Sequence, residues 1–394
     1  MESSVHPVAR TPEEWQKALG ARGERPFRAL EVFRWIHKKG IVDPAQMSSL
    51  PQKLRGELFG DAPSIGSVER AHRAADGTRK LVIRLRDDAP IESVLIPRVS
   101  GPGSAAASER ATDLEEDADV AAASDDDEET DASPSETVRV TQCVSTQVGC
   151  AMGCVFCASG VAGLKRHLSP EEIVGQVLLG RTQCDPGEEI RNVVYMGMGE
   201  PLHNYAATKR SLELLTHPEG VGLSTRRVTV STSGLVPEIE KLGKDFAGQI
   251  GLAISLHAAD DERRGALMPI NKKYPLADLM GALRAYPLPK RRRITIEYTL
   301  VHGQNDDVSE AEKVARLLRG VPVKINLIPM NPIAASTLGP PDMGRVFAFQ
   351  DALVRAGYSC FIRKRRGDDV SAACGQLALA GAKPKVRSFK RPAG

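Results

Sequence analysis

The chain has 394 residues, 41% of them hydrophobic and 4% aromatic, enough for one large domain with accessories. Its formal net charge of +3 conceals a division: residues 101–137 hold 13 acidic side chains and one basic one, leaving 52 basic against 37 acidic elsewhere. A basic body suits a polyanionic ligand, and seven cysteines with three of them clustered argue against a disulfide framework. No apolar run nears the roughly 18 residues of a membrane span. The polar start MESSVHPVARTPEEW lacks the apolar core of a signal peptide. The expected compartment is therefore the reducing cytoplasm.

Residues 11–60 read as short helices. Thr11-Pro12-Glu13-Glu14 is a helix start, with proline in the first turn and acids near the positive end of the dipole. In Ala29 to Lys38, Leu30, Val32, Phe33 and Ile36 share one helical face, and basic residues crowd around it. A solvated helical bundle and an RNA-facing one fit these residues equally well. Arg79 to Leu85 and Ile91 to Ile96 read as a small β-hairpin. Residues 1–98 thus read as an N-terminal accessory domain, an RNA-binding one in the second of those readings. Residues 99–137 are rich in Ser, Ala, Asp and Glu, too polar to offset their ordering entropy, and read as a disordered acidic linker. A built-in nucleic-acid mimic is the sharper alternative.

From Val138 strands and helices alternate. Strand-like runs are 138–144, 192–196, 227–231, 250–256, 293–300 and 322–328; helical stretches are 170–181, 206–216, 236–242, 276–285 and 309–318. Six β-α repeats predict an α/β fold, a partial barrel open at six strands, over residues 138–358. Residues 359–394 form a C-terminal segment with a basic tail. In such barrels chemistry gathers at the C-terminal ends of the strands, and the sequence obeys that rule. The cysteine loop follows strand one and Gly197-Met198-Gly199-Glu200-Pro201 follows strand two. Ser231 to Gly234 ends strand three, Ser255-Leu256-His257 ends strand four, and Met330-Asn331-Pro332 follows strand six.

The cysteine loop is TQCVSTQVGCAMGCVFCASG, Thr141 to Gly160. Cys150, Cys154 and Cys157 form a C-x-x-x-C-x-x-C triplet, with Cys143 upstream. Zinc normally takes four ligands, often as two separated C-x-x-C pairs, and the chain has no second pair. A cubic iron–sulfur cluster held by three cysteines leaves one iron open for a chelating cofactor. Plain alternatives are a redox C-x-x-C pair or merely buried thiols. GMGEP is a glycine turn followed by a carboxylate; alone it is as readily an ordinary strand-to-helix turn. Ser231 and Asn331 offer neutral hydrogen bonds. His257 could be a satisfied core histidine, and Cys374, within Ala372-Ala373-Cys374-Gly375-Gln376-Leu377, a packing residue.

Taken together, CVSTQVGCAMGCVFC, MGMGEPL, RRVTVSTSG, SLHA, MNP and RKRRGDDVSAACGQL resemble the RlmN/Cfr family of radical S-adenosylmethionine (SAM) RNA adenine methyltransferases, over most of residues 12–98 and 138–380. The resemblance implies one 4Fe–4S cluster on Cys150, Cys154 and Cys157, and two SAM molecules per turnover. It implies a cofactor site including Gly199, Glu200, Ser231, Ser255, Leu256, His257 and Asn331, with Glu200 pairing the ammonium of SAM. Cys374 would accept a methyl group, Glu92 would act as base, and Cys143 would resolve the covalent adduct by forming a disulfide with Cys374. The implied reaction is methylation at C2 of an adenosine in 23S rRNA, and also in tRNA, by a monomer served by an electron donor such as flavodoxin. Such a carbon has neither useful acidity nor nucleophilicity, so radical addition suits it, and the base must be unstacked to reach the site.

Two departures from the family pattern stand out. The acidic stretch separates the Glu92 strand from the cluster strand, and Met330 stands where an aromatic usually precedes the Asn-Pro pair. C8 methylation and methylation of another RNA are alternatives within the same chemistry. A metal-stabilised RNA-binding module without catalysis is the alternative from another class.

Overall fold

The computed structural model describes residues 5–60, 64–98, 137–334 and 336–377. Residues 99–136 of the predicted acidic linker and the basic tail after Leu377 lie outside them. Ten strands form one sheet whose spatial order is also the chain order. Three N-terminal strands come first: β1 (Ser67–Arg73), β2 (Arg79–Arg84) and β3 (Pro90–Pro97). Then follow β4 (Val138–Cys143), β5 (Glu188–Tyr195), β6 (Val228–Thr232), β7 (Gly251–Ser255), β8 (Ile294–Leu300), β9 (Val323–Pro329) and β10 (Cys360–Ile362). The pairings from β1 to β4 are antiparallel; those from β4 to β10 are parallel.

The parallel portion, with helices Pro170–Arg181, Tyr205–Thr216, Val236–Asp245, Leu276–Ala285, Val308–Leu317 and Met343–Arg355 between strands, is the open β/α barrel that the alternation predicted. It has seven parallel strands rather than six. The seventh, β10, has three residues and pairs with β9 from Ile325↔Cys360 onward. The expected hairpin is the β2–β3 pair, and β1 extends it. Because β3 also pairs with β4, at Val94↔Cys143 among others, the N-terminal strands continue the barrel sheet. Parallel strands covered on both faces need apolar residues on both faces. Val193, Val230, Ala253, Ile254, Ile296 and Leu327 accordingly have no exposed surface.

Local sequence explains the helix starts. Thr11 caps helix Pro12–Gly20: its hydroxyl accepts from the Glu14 N–H, and the Glu14 carboxylate accepts from the Thr11 N–H at 2.9 Å. Glu172 accepts from the Ser169 N–H at 2.9 Å in the same way and also pairs with Arg166. Helix Phe27–Phe33 runs on into a π-helical turn, Arg34–Lys38. That turn buries His37 completely, with its ring 4.4 Å from Phe33, and Arg181 donates to the His37 carbonyl at 2.8 Å. The accessory helices are thereby fastened to the barrel.

Burial, with the Arg181 charge beside it, holds the His37 imidazole down to about 3. An unfolded histidine takes its proton near 6.5, so between these values the unfolded chain binds more protons than the native one. The stability contributed by neutral His37 is present above about pH 6.5 and is lost as pH falls through that window. His37→Phe should flatten the acid loss of stability, read as denaturant midpoints at pH 7 and pH 5. Equal slopes in both proteins would contradict the assignment.

Candidate active site

A cavity of about 160 Å³ opens at the C-terminal ends of β5 to β9. Its wall includes Cys150, Cys154 and Cys157 from the loop after β4, Gly199 and Glu200 after β5, Ser231 from β6, Ser255 and His257 after β7, and Asn331 after β9. Cys374, more than two hundred residues beyond the triplet, lines the same cavity. All seven cysteines are free thiols.

The glycines of GMGEP let two loops touch. Gly197 donates to the Val144 carbonyl at 3.1 Å, and a Cβ there would lie 2.7 Å from that oxygen. Gly199 adopts φ +104°, in the region that favours glycine, and a Cβ would lie 2.6 Å from Cβ of Gln147. Gln147 closes the contact by accepting from the Glu200 N–H at 2.9 Å. The Glu200 carboxylate is buried; it accepts from the Ser233 N–H and hydroxyl at 2.7 and 2.8 Å, and from the Leu202 N–H at 3.0 Å. Burial raises its pKa, and those donors only partly oppose the rise. A cationic group in the cavity would relieve that cost.

Arg264 holds the strand ends together. It has no exposed surface, and it donates to the carbonyls of Ser233 at 2.7 Å, Ser255 at 3.1 Å and Leu256 at 3.1 Å, and to the Asn271 amide oxygen at 2.8 Å. Burial lowers it to about 10, so it stays charged at neutral pH. His257 takes φ +58°, unusual for a residue with a Cβ. Its Nδ1 accepts from the Thr299 N–H at 2.8 Å, which leaves the proton on Nε2, and burial holds the ring down to about 3. His257 is thus a neutral donor beside Phe156, whose ring lies 4.7 Å away edge-on.

After β10 the chain doubles back over the cavity. The Ala158 N–H donates to the Gly375 carbonyl at 2.8 Å, the Ser159 hydroxyl to the Leu377 carbonyl at 2.6 Å, and Asn331 Nδ2 to the Cys374 carbonyl at 2.9 Å. Cys374 is exposed and lines the cavity. Protein surrounds it on its other sides, and burial raises its thiol while the nearby Arg363 guanidinium opposes the rise. Cys143 is buried at the end of β4, pushed up to about 12 by burial and then by the Cys374 sulfur close to it.

Three sequence-predicted residues stand off the cavity wall. Cys143 lies behind it, against Cys374. Glu92 is buried on β3, where its carboxylate meets Lys80 Nζ at 3.3 Å; Lys80 in turn reaches the Ser371 carbonyl at 3.4 Å, on the segment that carries Cys374. Leu256, the third, is buried between Ser255 and His257. Its side chain packs in the main core, its N–H donates to the Glu297 carbonyl at 3.0 Å, and its carbonyl is taken by Arg264. Sequence reading missed Arg264, Gln147 and Lys80. Arg264 sits in a charged stretch that reads as solvated surface, Lys80 in a run read only as a strand, and Gln147 inside the cysteine loop, the one of the three with a signal.

Residues 144–318 match the model of the radical SAM superfamily, and residues 11–62 that of the ribosomal RNA large subunit methyltransferase N-terminal domain. The dual-specificity RNA methyltransferase RlmN of Sorangium cellulosum is 70% identical over 386 residues, 97% of this chain and 98% of the relative. The protein of that name from Syntrophobacter fumaroxidans is 40% identical, over 93% and 94% of the two chains. A crystal structure of a radical SAM methyltransferase from Sphaerobacter thermophilus superposes with a TM-score of 0.80 at 39% identity, covering 94% of this chain and 98% of that one.

The residues present fit the cofactors these likenesses imply. Among the described residues no three His, Cys, Asp or Glu side chains converge as ligands of a single ion. The triplet thiols share the wall of one cavity, a donor set of thiolates that suits an iron–sulfur cluster. Asn331 Oδ1 is buried without a hydrogen-bond partner among the described residues, and the Glu200 carboxylate lines the cavity as an acceptor suited to a cation. Cys150→Ala should abolish the visible absorption of a reconstituted cluster. Full absorption in that variant would show that the triplet is not its seat.

Proposed function

Because the chain belongs to the RlmN family of radical SAM RNA methyltransferases, we propose that it methylates C2 of an adenosine in 23S rRNA, and also in tRNA, through an S-methylcysteine at Cys374. The observation that carries this reading is the shared cavity: Cys374 faces the same space as Cys150, Cys154 and Cys157, with Cys143 at its back. A structural cluster in an RNA-binding module would require neither thiol.

When bound, a 4Fe–4S cluster on the three cysteines and SAM at Glu200 and Asn331 supply the electron, the methyl group and the hydrogen-abstracting radical. The protein's part is placement and proton handling. Ser231 and Ser255 offer hydroxyls, and neutral His257 an N–H, to the polar groups of SAM, while Gly199 lets backbone come close to it. Cys374 gives up its proton to become a nucleophile, helped by Arg363. Once its methyl carbon is bonded to the adenine, Glu92 takes the ring proton from the adduct. The Cys143 thiolate attacks the Cys374 sulfur; the S–S bond forms as the C–S bond breaks, its electron pair stays on the methylene carbon, and that carbon takes up a proton to become the methyl group on the base. Lys80, 3.3 Å from the Glu92 carboxylate, orients it for this role. Phe156, Met268 and Met330 give the cavity apolar walls, which exclude water from reactive species. Residues 1–98 are proposed to grip the RNA, and 359–394 to present Cys374.

Cys143→Ala should leave RNA attached to the protein through Cys374, seen as an RNA-bearing band that survives denaturation and disappears in the Cys143→Ala/Cys374→Ala double variant. Free, normally methylated RNA from Cys143→Ala would overturn the resolving role. Chromatography of the released nucleoside distinguishes C2 from C8 methyladenosine.

A further inference from the structure

Two exposed histidines outside the catalytic set, His167 and His203, meet over one buried glutamine, Gln147. Gln147–Val148 and Arg166–His167 form a two-stranded antiparallel ribbon in which Gln147 pairs with His167. His203 follows Glu200 on the turn Pro201–Asn204, and its N–H donates to the Glu200 carbonyl at 3.1 Å. Asn204 ties that turn to the ribbon, donating from Nδ2 to the Thr146 carbonyl at 2.9 Å and to the Leu168 carbonyl at 2.7 Å. The imidazoles stand edge to face with their centroids 5.0 Å apart. Gln147 Nε2 lies 3.0 Å from Nδ1 of His167 and 3.2 Å from Nδ1 of His203.

Donor and acceptor chemistry leaves one assignment for these contacts. The Glu200 backbone N–H can only donate, so the Gln147 amide oxygen faces it, at 2.9 Å. Gln147 Nε2 then has two N–H groups, one for each imidazole, and both Nδ1 atoms accept. Each ring is therefore neutral, with its proton on Nε2. Burial and then His203 hold His167 below the ordinary imidazole value, in the same sense. A proton added at either Nδ1 sets an N–H against an N–H. Turning the amide over relieves that conflict only by aiming Nε2 at the Glu200 N–H, so the disturbance passes to the residue that carries the cavity's carboxylate. Among the charged groups on the packed elements, Arg166 is engaged by Asp87 and Glu172, and the Glu200 carboxylate is bonded to Ser233 and Leu202. Lys165 and Glu171 flank His167 in the chain; of the described groups only His203 acts on His167 through its charge.

We propose that Gln147 is a positioning residue for Glu200, and that the neutral His167–His203 pair fixes its amide in the orientation that holds the cofactor-binding loop. SAM affinity is thereby tied to two surface imidazoles: full while both are neutral, and falling as pH drops below about 6.5, the ordinary imidazole value. This role presupposes that Glu200 pairs with the SAM ammonium, a part of the proposed function.

The test is the affinity of radiolabelled SAM for the reconstituted, unreduced enzyme, read by equilibrium dialysis at about pH 8 and about pH 5.5, either side of the imidazole range. No turnover enters that readout. His167→Leu/His203→Leu removes both acceptors and should bind SAM about five-fold less tightly at the higher pH. His167→Asn/His203→Asn places a non-titrating amide oxygen near each Nδ1; it should recover most of that affinity and keep it at the lower pH. Between the two pH values the natural chain should lose about ten-fold more affinity than the Asn variant, the size expected when a buried N–H is left without its acceptor. Protonation of Glu200 itself, whose pKa burial raises, weakens binding in both proteins and cancels in that comparison. Matching pH profiles for the natural chain and the Asn variant would overturn the proposal, as would a Leu variant that binds like the natural chain. Glu200→Gln separates the two levels. If it has lost SAM affinity while the profiles match, only the role of Gln147 and the histidines falls; if it binds SAM as tightly as the natural chain, the assignment of Glu200 falls and this role with it.

Discussion

The active-site arrangement depends on the return of the chain's far end across the barrel mouth. Three hydrogen bonds, Ala158 to Gly375, Ser159 to Leu377 and Asn331 to Cys374, fix the return on one side. On the other side the β1–β2 turn holds it: Asp76 accepts from the Gly367 N–H at 3.0 Å, and Asp369 from the Ala75 N–H at 3.1 Å. Without these bonds the thiol at 374 and the triplet would belong to separate parts of the molecule. The short seventh strand aims the return, because Arg363 follows it directly and donates its N–H to the Leu327 carbonyl.

Magnitudes separate the rigid part of the site from the attached part. An ordinary hydrogen bond is worth about 1 kcal/mol net, whereas a buried polar group stripped of its partner costs about 1–3 kcal/mol, and more if charged. Arg264 and Glu200 are buried charges that satisfy several strand-end groups each, so losing either would leave multiple orphans. The C-terminal return is held by a handful of ordinary bonds at the surface of that frame. The barrel mouth is thus a stiff socket, and the segment with Cys374 is fastened to it by a few kcal/mol.

Much of this was legible before the structure. Runs of β-branched residues marked the barrel strands, and every glycine or polar motif placed at a strand's C-terminal end lies at one mouth. Strand β1 escaped because SVERAHR is an exposed edge with no apolar alternation, and β10 because three residues carry no periodic signal. Arg264 escaped for a different reason. In DDERRGALM it looks solvated, and only the convergence of two strand ends, a property of the tertiary fold, buries it. Which of Ser255, Leu256 and His257 lines the cavity was not legible, because sequence adjacency does not say which side chain turns inward. The pairing of Lys80 with Glu92 was invisible because it runs diagonally across the hairpin, Lys80 lying opposite Val94 and Glu92 opposite Val82, a register the strand runs alone do not fix.

The central claim is that Cys374 works in the same cavity as the cysteine triplet. It is tested most directly by supplying SAM labelled in its methyl group to the reconstituted enzyme with a reductant, without RNA, and mapping the label by peptide mass spectrometry. The account predicts label on the peptide containing Cys374 and on no other. An unlabelled Cys374 in enzyme that nonetheless methylates RNA when RNA is added would contradict it.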